Sequence, residues 1–235
     1  MPAGNSGTTM RIGIIGTGRI AAPRARLCAD MEGVEIAWVC SREKSRAEEF
    51  IHSIGDSAAA LDDWERAVRA TDVDAVYVAA PNALHFPMAD AALSAGRHVL
   101  LEHPPAMTAE DGWTLLELAA REKKVLHAGL TYRYGGMPAA LKRILWDPQD
   151  PFGVGSPHAY VYLDSDGGPI SRWLHRDELT GGTYISSMYD HFDEAIALFG
   201  RVGGHSGPRP ALEIERSFVC ERGHVRVMRG EITVS

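Results

Sequence analysis

Small residues with the spacing G-x-G-x-x-A stand near the start of the chain, directly after a short apolar run, and this is the pattern of a diphosphate-binding turn. Gly16 permits a tight turn, Gly18 permits close approach of a diphosphate, and Ala21 lets the following helix pack on the strand. Amide groups at such a helix start attract the anion. We therefore predict a dinucleotide site at this turn. The predicted contacts are Gly16, Thr17, Gly18, Arg19 and Ile20.

The end of the second predicted strand indicates which dinucleotide the turn would take. NAD-selective sites usually place an acidic residue there, on the ribose 2′-hydroxyl. This chain instead has Ser41 and Arg42, with Lys44 close by. Because a guanidinium group suits a 2′-phosphate, we predict NADP with contacts from Ser41 and Arg42. Glu43 could turn inward, which leaves NAD as the alternative.

A second group of polar residues follows a buried strand in the middle of the first half. Pro81 and Asn82 come at the carboxyl end of that strand, where open α/β sheets bind ligands, so we predict that they contact the cofactor. An Asx-type turn is the alternative reading. His85 lies one helical turn further on and either faces the same crevice or caps the helix.

The stretches around these residues resemble the Gfo/Idh/MocA oxidoreductase family. That family has a strand ending in T-P-N-x-x-H, similar to Pro81 to His85, and a later strand ending in E-K-P, similar to Glu102 to Pro104. The resemblance continues through Tyr132 to Tyr134 and through Gly181 to Glu194. It implies an amino-terminal NAD(P)-binding half, a carboxy-terminal substrate half and oxidoreductase activity, with Glu102 near the cofactor.

Departures from the family pattern fall on its acid/base residues. His103 replaces the lysine of E-K-P, and a histidine can exchange a proton near neutral pH but carries no fixed positive charge. His191 falls on the family's catalytic histidine, while Ser187 and Glu194 stand where the family has aspartates. Ser187 could hydrogen-bond His191 but could not hold it as an imidazolium.

An E-H-P corner followed by Tyr132 resembles the thiazolinyl imine reductase and biliverdin reductase branches of the family. The resemblance implies reduction of a C=N or C=O group in a small metabolite, with His103 and Tyr132 as proton donors and His191 orienting the substrate. His103 could instead only shape the loop before Pro104. Trp173 matches a family segment near the cofactor, although it could equally be core packing.

Three other functions stay open at the level of sequence. The chain could be a catalytically silent NAD(P)-binding sensor, because two of the family's catalytic positions are altered. It could be a sugar-type dehydrogenase with altered acid/base residues. It could also recycle NAD within one turnover, during an elimination or a racemisation.

The elements that position these residues alternate between short apolar strands and amphipathic helices in the first half, which is the pattern of βαβ units. The predicted strands are Arg11–Gly16, Val34–Cys40, Ala75–Ala80, His98–Leu101 and Lys124–Ala128. The predicted helices are Ile20–Met31, Lys44–Ile54, Asp62–Ala70, Leu84–Ala95 and Ala109–Lys123. The buried face predicted for the last helix consists of Trp113, Leu115, Leu116, Leu118 and Ala119.

The second half has a different rhythm, with one long helix at about Thr183–Phe199 that interrupts a series of period-2 segments, namely His158–Asp164, Ala211–Arg216, Ser217–Cys220 and His224–Met228. With the resemblance, this predicts an α/β fold. A doubly wound parallel Rossmann sheet over residues 1–130 precedes a smaller α+β domain with a mostly antiparallel sheet over residues 131–235. We expect a homodimer formed through that second sheet, whose edges would otherwise be exposed.

Composition restricts the classes of partner. The chain has 235 residues, 45% of them hydrophobic, and a formal net charge of −7. Interleaved charges offer no basic surface for nucleic acid or an anionic membrane. Three separated cysteines predict a reducing compartment and no structural metal. No apolar run approaches the ~20 residues of a membrane span, and the first residues lack a signal peptide pattern, so we expect a cytoplasmic protein.

Overall fold

A computed structural model describes residues 9–70, 72–130, 176–181, 211–219 and 225–233, the last two ranges by their backbone only. The strands are β1 Met10–Ile15, β2 Val34–Cys40, β3 Ala59–Leu61, β4 Ala75–Val78, β5 His98–Leu101, β6 Leu126–Ala128, β7 Ala211–Val219 and β8 Val225–Thr233. The helices are α1 Ala21–Asp30, α2 Lys44–Ile54, α3 Trp64–Ala70, α4 His85–Ser94, α5 Ala109–Arg121 and α6 Asp177–Thr180, with a 3-10 turn over Asn82–Leu84 before α4.

Six parallel strands form the main sheet, in the order β3-β2-β1-β4-β5-β6. This order is that of a doubly wound Rossmann sheet, so the first-half fold prediction is confirmed. Sequence reasoning missed β3, because three residues are too few to show a period. Apolar side chains from alternate strand positions build a core on each face of the sheet, with Ile14 and Tyr77 in one and Val76 and Leu101 in the other.

A register shift in the β1–β2 pair lies between Ile12 and Gly13. Gly13 then pairs with Trp38, which is 2% exposed. A Cβ atom at Gly13 would lie 2.1 Å from Cζ2 of the Trp38 ring. The indole therefore occupies the space that any side chain at position 13 would need, and only glycine fits there without moving a buried ring.

Helix α5 corrects one sequence prediction. Its start is capped by Thr108, whose hydroxyl accepts from the amide of Asp111 at 3.1 Å. Of the face predicted to be buried, Leu115, Leu118 and Ala119 are buried. Trp113 and Leu116, in contrast, are 66% and 51% exposed. The apolar residues of α5 span a wider arc than the sheet covers, and spacing alone does not reveal where that contact ends.

The described residues fall into two compact units. Residues 9–70, 72–130 and 176–181 belong to the first, and β7 and β8 belong to the second. Strands β7 and β8 pair antiparallel from Ala211 opposite Thr233 to Val219 opposite Val225. The extents of the predicted domains, 1–130 and 131–235, stay a prediction, as does the α+β arrangement of the second.

The fit of Gly13 against Trp38 gives a stability prediction. Gly13→Ala should lower the free energy of unfolding by about 1–3 kcal/mol, because overpacking a buried ring forces side chains or backbone to shift. Gly112→Ala in α5 is the matched control, since a Cβ there would meet no atom within 4 Å. It should raise stability by about 0.5–1 kcal/mol. Urea denaturation measures both, and equal stability of Gly13→Ala and the unaltered chain would contradict the packing described.

Candidate functional site

The predicted site residues of the first half gather at one edge of the parallel sheet. The glycine-rich turn follows β1, Ser41 follows β2, Asn82 follows β4, and Glu102 follows β5. These strands are neighbours in the sheet and run parallel, so their carboxyl ends share an edge. Open α/β sheets bind ligands there, where the strand order reverses.

The turn between β1 and α1 has the form that a diphosphate site requires. Gly16 has φ of +110°, and a Cβ atom on it would lie 2.2 Å from the Ala79 carbonyl oxygen. A Cβ atom on Gly18 would meet no atom within 4 Å, so open space lies beside that residue. The Gly18 carbonyl accepts from the amide of Ala21 at 3.0 Å as the helix begins. The first turn of α1 carries no acidic residue, so no carboxylate competes for the positive end of its dipole.

These observations fit a dinucleotide. The space beside Gly18 is where the backbone would approach the diphosphate, and Arg19 and Ile20 are exposed beside it. Thr17 and Ser41 are joined by a hydrogen bond between their hydroxyl groups at 3.3 Å, which fixes the turn against the end of β2. Arg42 is exposed just beyond.

The end of β4 holds Asn82 and His85 below the surface. Asn82 is 4% exposed, and its Nδ2 donates to the Thr180 carbonyl of α6 at 2.9 Å. His85 is 1% exposed, and its ring nitrogens lie 2.6 Å from the Pro104 oxygen and 2.8 Å from the Ala80 oxygen. The ring thus braces the end of β4 against the loop after β5. Direct cofactor contact by His85 and Asn82 stays a prediction, which this burial does not favour.

The surroundings of His85 have opposing effects on the pKa of its ring. Burial lowers the pKa of His85, and the Pro104 and Ala80 carbonyl oxygens and the Glu102 carboxylate act in the opposite direction. A ring with one proton can donate to only one of the two carbonyl oxygens at a time. The brace therefore depends on which nitrogen carries that proton.

Glu102 is a buried carboxylate, with a side chain 8% exposed. Its Oε1 accepts from the Tyr77 hydroxyl at 2.7 Å and lies 3.0 Å from Nε of Arg24. Burial and the adjacent Glu102 both raise the pKa of Tyr77, so this phenol keeps its proton and can donate it to the carboxylate. Gly129 closes the other side, because a Cβ atom there would lie 3.3 Å from both Glu102 oxygens. Protein groups thus hold Glu102, and a role at the cofactor stays a prediction.

His103 lies beside this carboxylate and is partly open to solvent. Its side chain is 25% exposed, and its Nδ1 lies 3.8 Å from Oε2 of Glu102 and 3.4 Å from the Gly129 oxygen. The peptide bond between His103 and Pro104 is cis. A partly exposed imidazole next to a buried anion can hold a proton and release it to a group in the crevice.

Other predicted site residues lie outside the described residues, namely Tyr132, Trp173 and His191. Sequence reasoning did not identify Arg24, Tyr77 or Thr180. A tyrosine amid the apolar residues of β4 was a signal, because a buried phenol usually has a hydrogen-bond partner. Its partner could not be read from spacing, because Glu102 lies on a different strand.

The described part of the chain carries no cluster of three or more potential metal-ligating side chains. Within the same residues, no helix has the length and apolar character needed to cross a membrane. Cys28 and Cys40 are free thiols, and burial raises the pKa of Cys40 to about 11. Cys40 is therefore a core residue rather than a reactive one.

Comparison with known proteins places this edge in a family context. Residues 10–130 match the Gfo/Idh/MocA family, described as an oxidoreductase family with an NAD-binding Rossmann fold. A "Glycosyl hydrolase family 109 protein" from Streptomyces filamentosus is 35% identical over 125 residues, which are 50% of this chain and 25% of the relative. The chain spans between 25% and 41% of the length of such curated relatives.

Solved structures agree with the fold. A 3-ketoreductase from Actinomadura kijaniata in complex with NADP has 28% identity and a TM-score of 0.54, over 58% of this chain and 43% of its own. Biliverdin reductase from Synechocystis sp. PCC 6803, in complex with biliverdin and NADP+, has 23% identity and a TM-score of 0.69, over 95% of this chain and 72% of its own. At that identity the second likeness supports the fold alone.

The open space beside Gly18 allows a substitution there to change cofactor binding without changing the stability of the fold. Gly18→Ala should leave the free energy of unfolding within about 0.5 kcal/mol of the unaltered chain, because the new methyl group meets no protein atom. It should weaken binding of NADPH about tenfold or more, because the methyl group fills the space that a diphosphate needs. Urea denaturation and titration calorimetry measure the two effects. Unchanged affinity in Gly18→Ala would argue against a diphosphate at this turn.

Proposed function

The chain belongs to the Gfo/Idh/MocA oxidoreductase family, and from that premise we propose that it uses NADPH to reduce a C=N or C=O group in a small metabolite. One observation carries the proposal: a partly exposed His103 lies beside the buried Glu102 carboxylate at the edge of the sheet that also carries the glycine-rich turn. The likeness to a 3-ketoreductase in complex with NADP supports the same reaction class.

Different residues of the chain would bind different parts of the cofactor. The turn from Gly16 to Ile20 would hold the diphosphate, and Ser41 and Arg42 would hold the ribose and its 2′-phosphate. A nicotinamide cofactor supplies a hydride when bound. The residues at the other strand ends must then orient the substrate and supply one proton.

We assign that proton to His103. Its Nδ1 faces the Glu102 and Gly129 oxygens, so Nε2 is the ring nitrogen that we assign to the transfer. The hydride goes to the carbon of the C=N or C=O group and the proton to its nitrogen or oxygen, which balances a two-electron reduction. Tyr132 as a further donor and His191 as an orienting group belong to the same proposal.

A second candidate keeps this site but changes the net reaction. The name of the Streptomyces filamentosus relative, a glycosyl hydrolase, favours testing a cycle in which the hydride returns to the substrate within one turnover. Such a cycle would start from the oxidised cofactor, NAD+ or NADP+, which takes the hydride and then gives it back, so solvent deuterium would be incorporated without net formation of NADH or NADPH. A catalytically silent sensor would bind NADPH and show neither outcome.

We also propose a homodimer in a cytoplasmic, reducing compartment. Within the described residues of the second unit, β7 and β8 form a two-stranded sheet, and no other described strand pairs with either. If these strand edges are exposed in the full chain, pairing with another copy would cover them. Light scattering at micromolar concentration tests the dimer, and a monomer would contradict it.

The choice of NADP gives a binding prediction. Arg42→Ala should weaken NADPH binding about tenfold and leave NADH binding unchanged, because only NADPH carries the phosphate that Arg42 would neutralise. Arg69→Ala, which removes an exposed arginine at the end of α3, is the matched control and should change neither affinity. Equal loss of NADH and NADPH binding in Arg42→Ala would count against a 2′-phosphate contact.

The proton transfer gives a kinetic prediction. The assay substrate is the compound that oxidises NADPH fastest in a panel of ketones and imines. With it, His103→Ala should lower turnover about a hundredfold, because a general acid typically contributes that much. NADPH affinity should change little. Stopped-flow loss of NADPH absorbance measures turnover, and His52→Ala, at an exposed histidine of α2, is the control. An unchanged rate in His103→Ala would remove the role assigned to this residue.

A further inference from the structure

Arg24 is the charged residue of α1 that reaches the Glu-His-Pro corner. Its Nε lies 3.0 Å from Oε1 of Glu102, and its side chain is 20% exposed. Its Nη1 also donates to the carbonyl oxygen of Ile20, in the glycine-rich turn, at 3.2 Å. One guanidinium group therefore contacts both the predicted diphosphate turn and the carboxylate beside His103.

Because Glu102 is buried, its contact with Arg24 is important for the stability of its negative charge. A carboxylate taken out of water needs hydrogen bonds and a nearby cation. Tyr77 supplies a neutral hydrogen bond at 2.7 Å, whereas Arg24 supplies a fixed positive charge at 3.0 Å. An arginine keeps that charge at every pH of interest.

Charged and titratable groups from several elements face the Glu102–His103 pair. Arg24 comes from α1 and Tyr77 from β4, and the buried ring of His85 on α4 interacts with both members of the pair. Gly129, after β6, contributes its carbonyl oxygen at 3.4 Å from Nδ1 of His103. Among these groups, Arg24 is the fixed cation.

We propose that Arg24 is a positioning residue which, by neutralising Glu102, determines how strongly His103 holds its proton. With Arg24 present, the Glu102 charge is shared with the guanidinium and stabilises a protonated His103 only weakly. Without Arg24, the Glu102–His103 pair keeps a proton to a higher pH, because the carboxylate has lost its other cation. The catalytic meaning of this effect rests on the proposed function, but the effect on His103 does not.

The test is an NMR titration of the histidine ring resonances of the full chain, with His103 assigned by its loss in His103→Asn. In Arg24→Gln, the titration midpoint of His103 should rise by about one pH unit. Arg24→Lys retains the positive charge and should restore most of the original midpoint. Arg26→Gln is the matched control on the same helix, where the exposed side chain contacts Ser53 instead. An unchanged midpoint in Arg24→Gln, or an equal rise in Arg26→Gln, would overturn the proposal.

A second pair of variants shows whether Arg24 acts through Glu102. It also keeps the test possible if Arg24→Gln folds poorly. Glu102→Gln removes the carboxylate charge and should lower the midpoint of His103. The double variant Arg24→Gln/Glu102→Gln leaves no unpaired carboxylate, so it should fold, and its midpoint should lie above that of Glu102→Gln by much less than the rise seen in Arg24→Gln alone. An equal rise in both backgrounds would show that Arg24 acts on His103 without Glu102 and would overturn the proposal. NADPH calorimetry on the unaltered chain tests the proposed function separately, since failure to bind would leave these midpoints unaffected.

Discussion

The close packing of the β1–α1 turn against the end of β4 is the constraint on which the site depends. Gly16 can lie there only because it has no side chain, with the Ala79 carbonyl 2.2 Å from where a Cβ atom would be. This contact aligns the ends of β1 and β4 and leaves open space beside Gly18. A side chain at position 16 would push these strand ends apart, and the sheet order places the remaining site strands on either side of this pair.

The Glu-His-Pro corner depends on a second constraint, because it contains a carboxylate that is removed from water. Glu102 is held by Tyr77 and Arg24 on one side and lies beside His103 on the other. A lysine at position 103 would add a permanent positive charge next to Glu102, whereas a histidine adds charge only when it is protonated. The histidine therefore suits chemistry in which the residue donates one proton and is neutral afterwards, and it makes the remaining cation, Arg24, more important.

The sequence predicted the first-half fold closely because its signals are local. Buried parallel strands are short apolar runs, the helices between them are amphipathic, and the glycines of the turn have fixed spacing. It could not predict contacts that depend on how elements pack, such as Trp38 over Gly13 or Arg24 against Glu102. The prediction that Trp113 is buried was wrong for the same reason, since its spacing fits a buried face that α5 does not have. At the site, residue types indicated the chemistry, but the burial of Asn82, His85 and Glu102 depends on packing and could not be predicted from spacing.

We expect the glycine-rich turn and the Glu-His-Pro corner to bind one and the same dinucleotide. A crystal structure of the chain with NADPH would show whether they do. We expect the diphosphate over Gly16 to Gly18 and the nicotinamide ring next to the side chain of His103. A diphosphate bound elsewhere, or a nicotinamide ring directed away from His103, would contradict it.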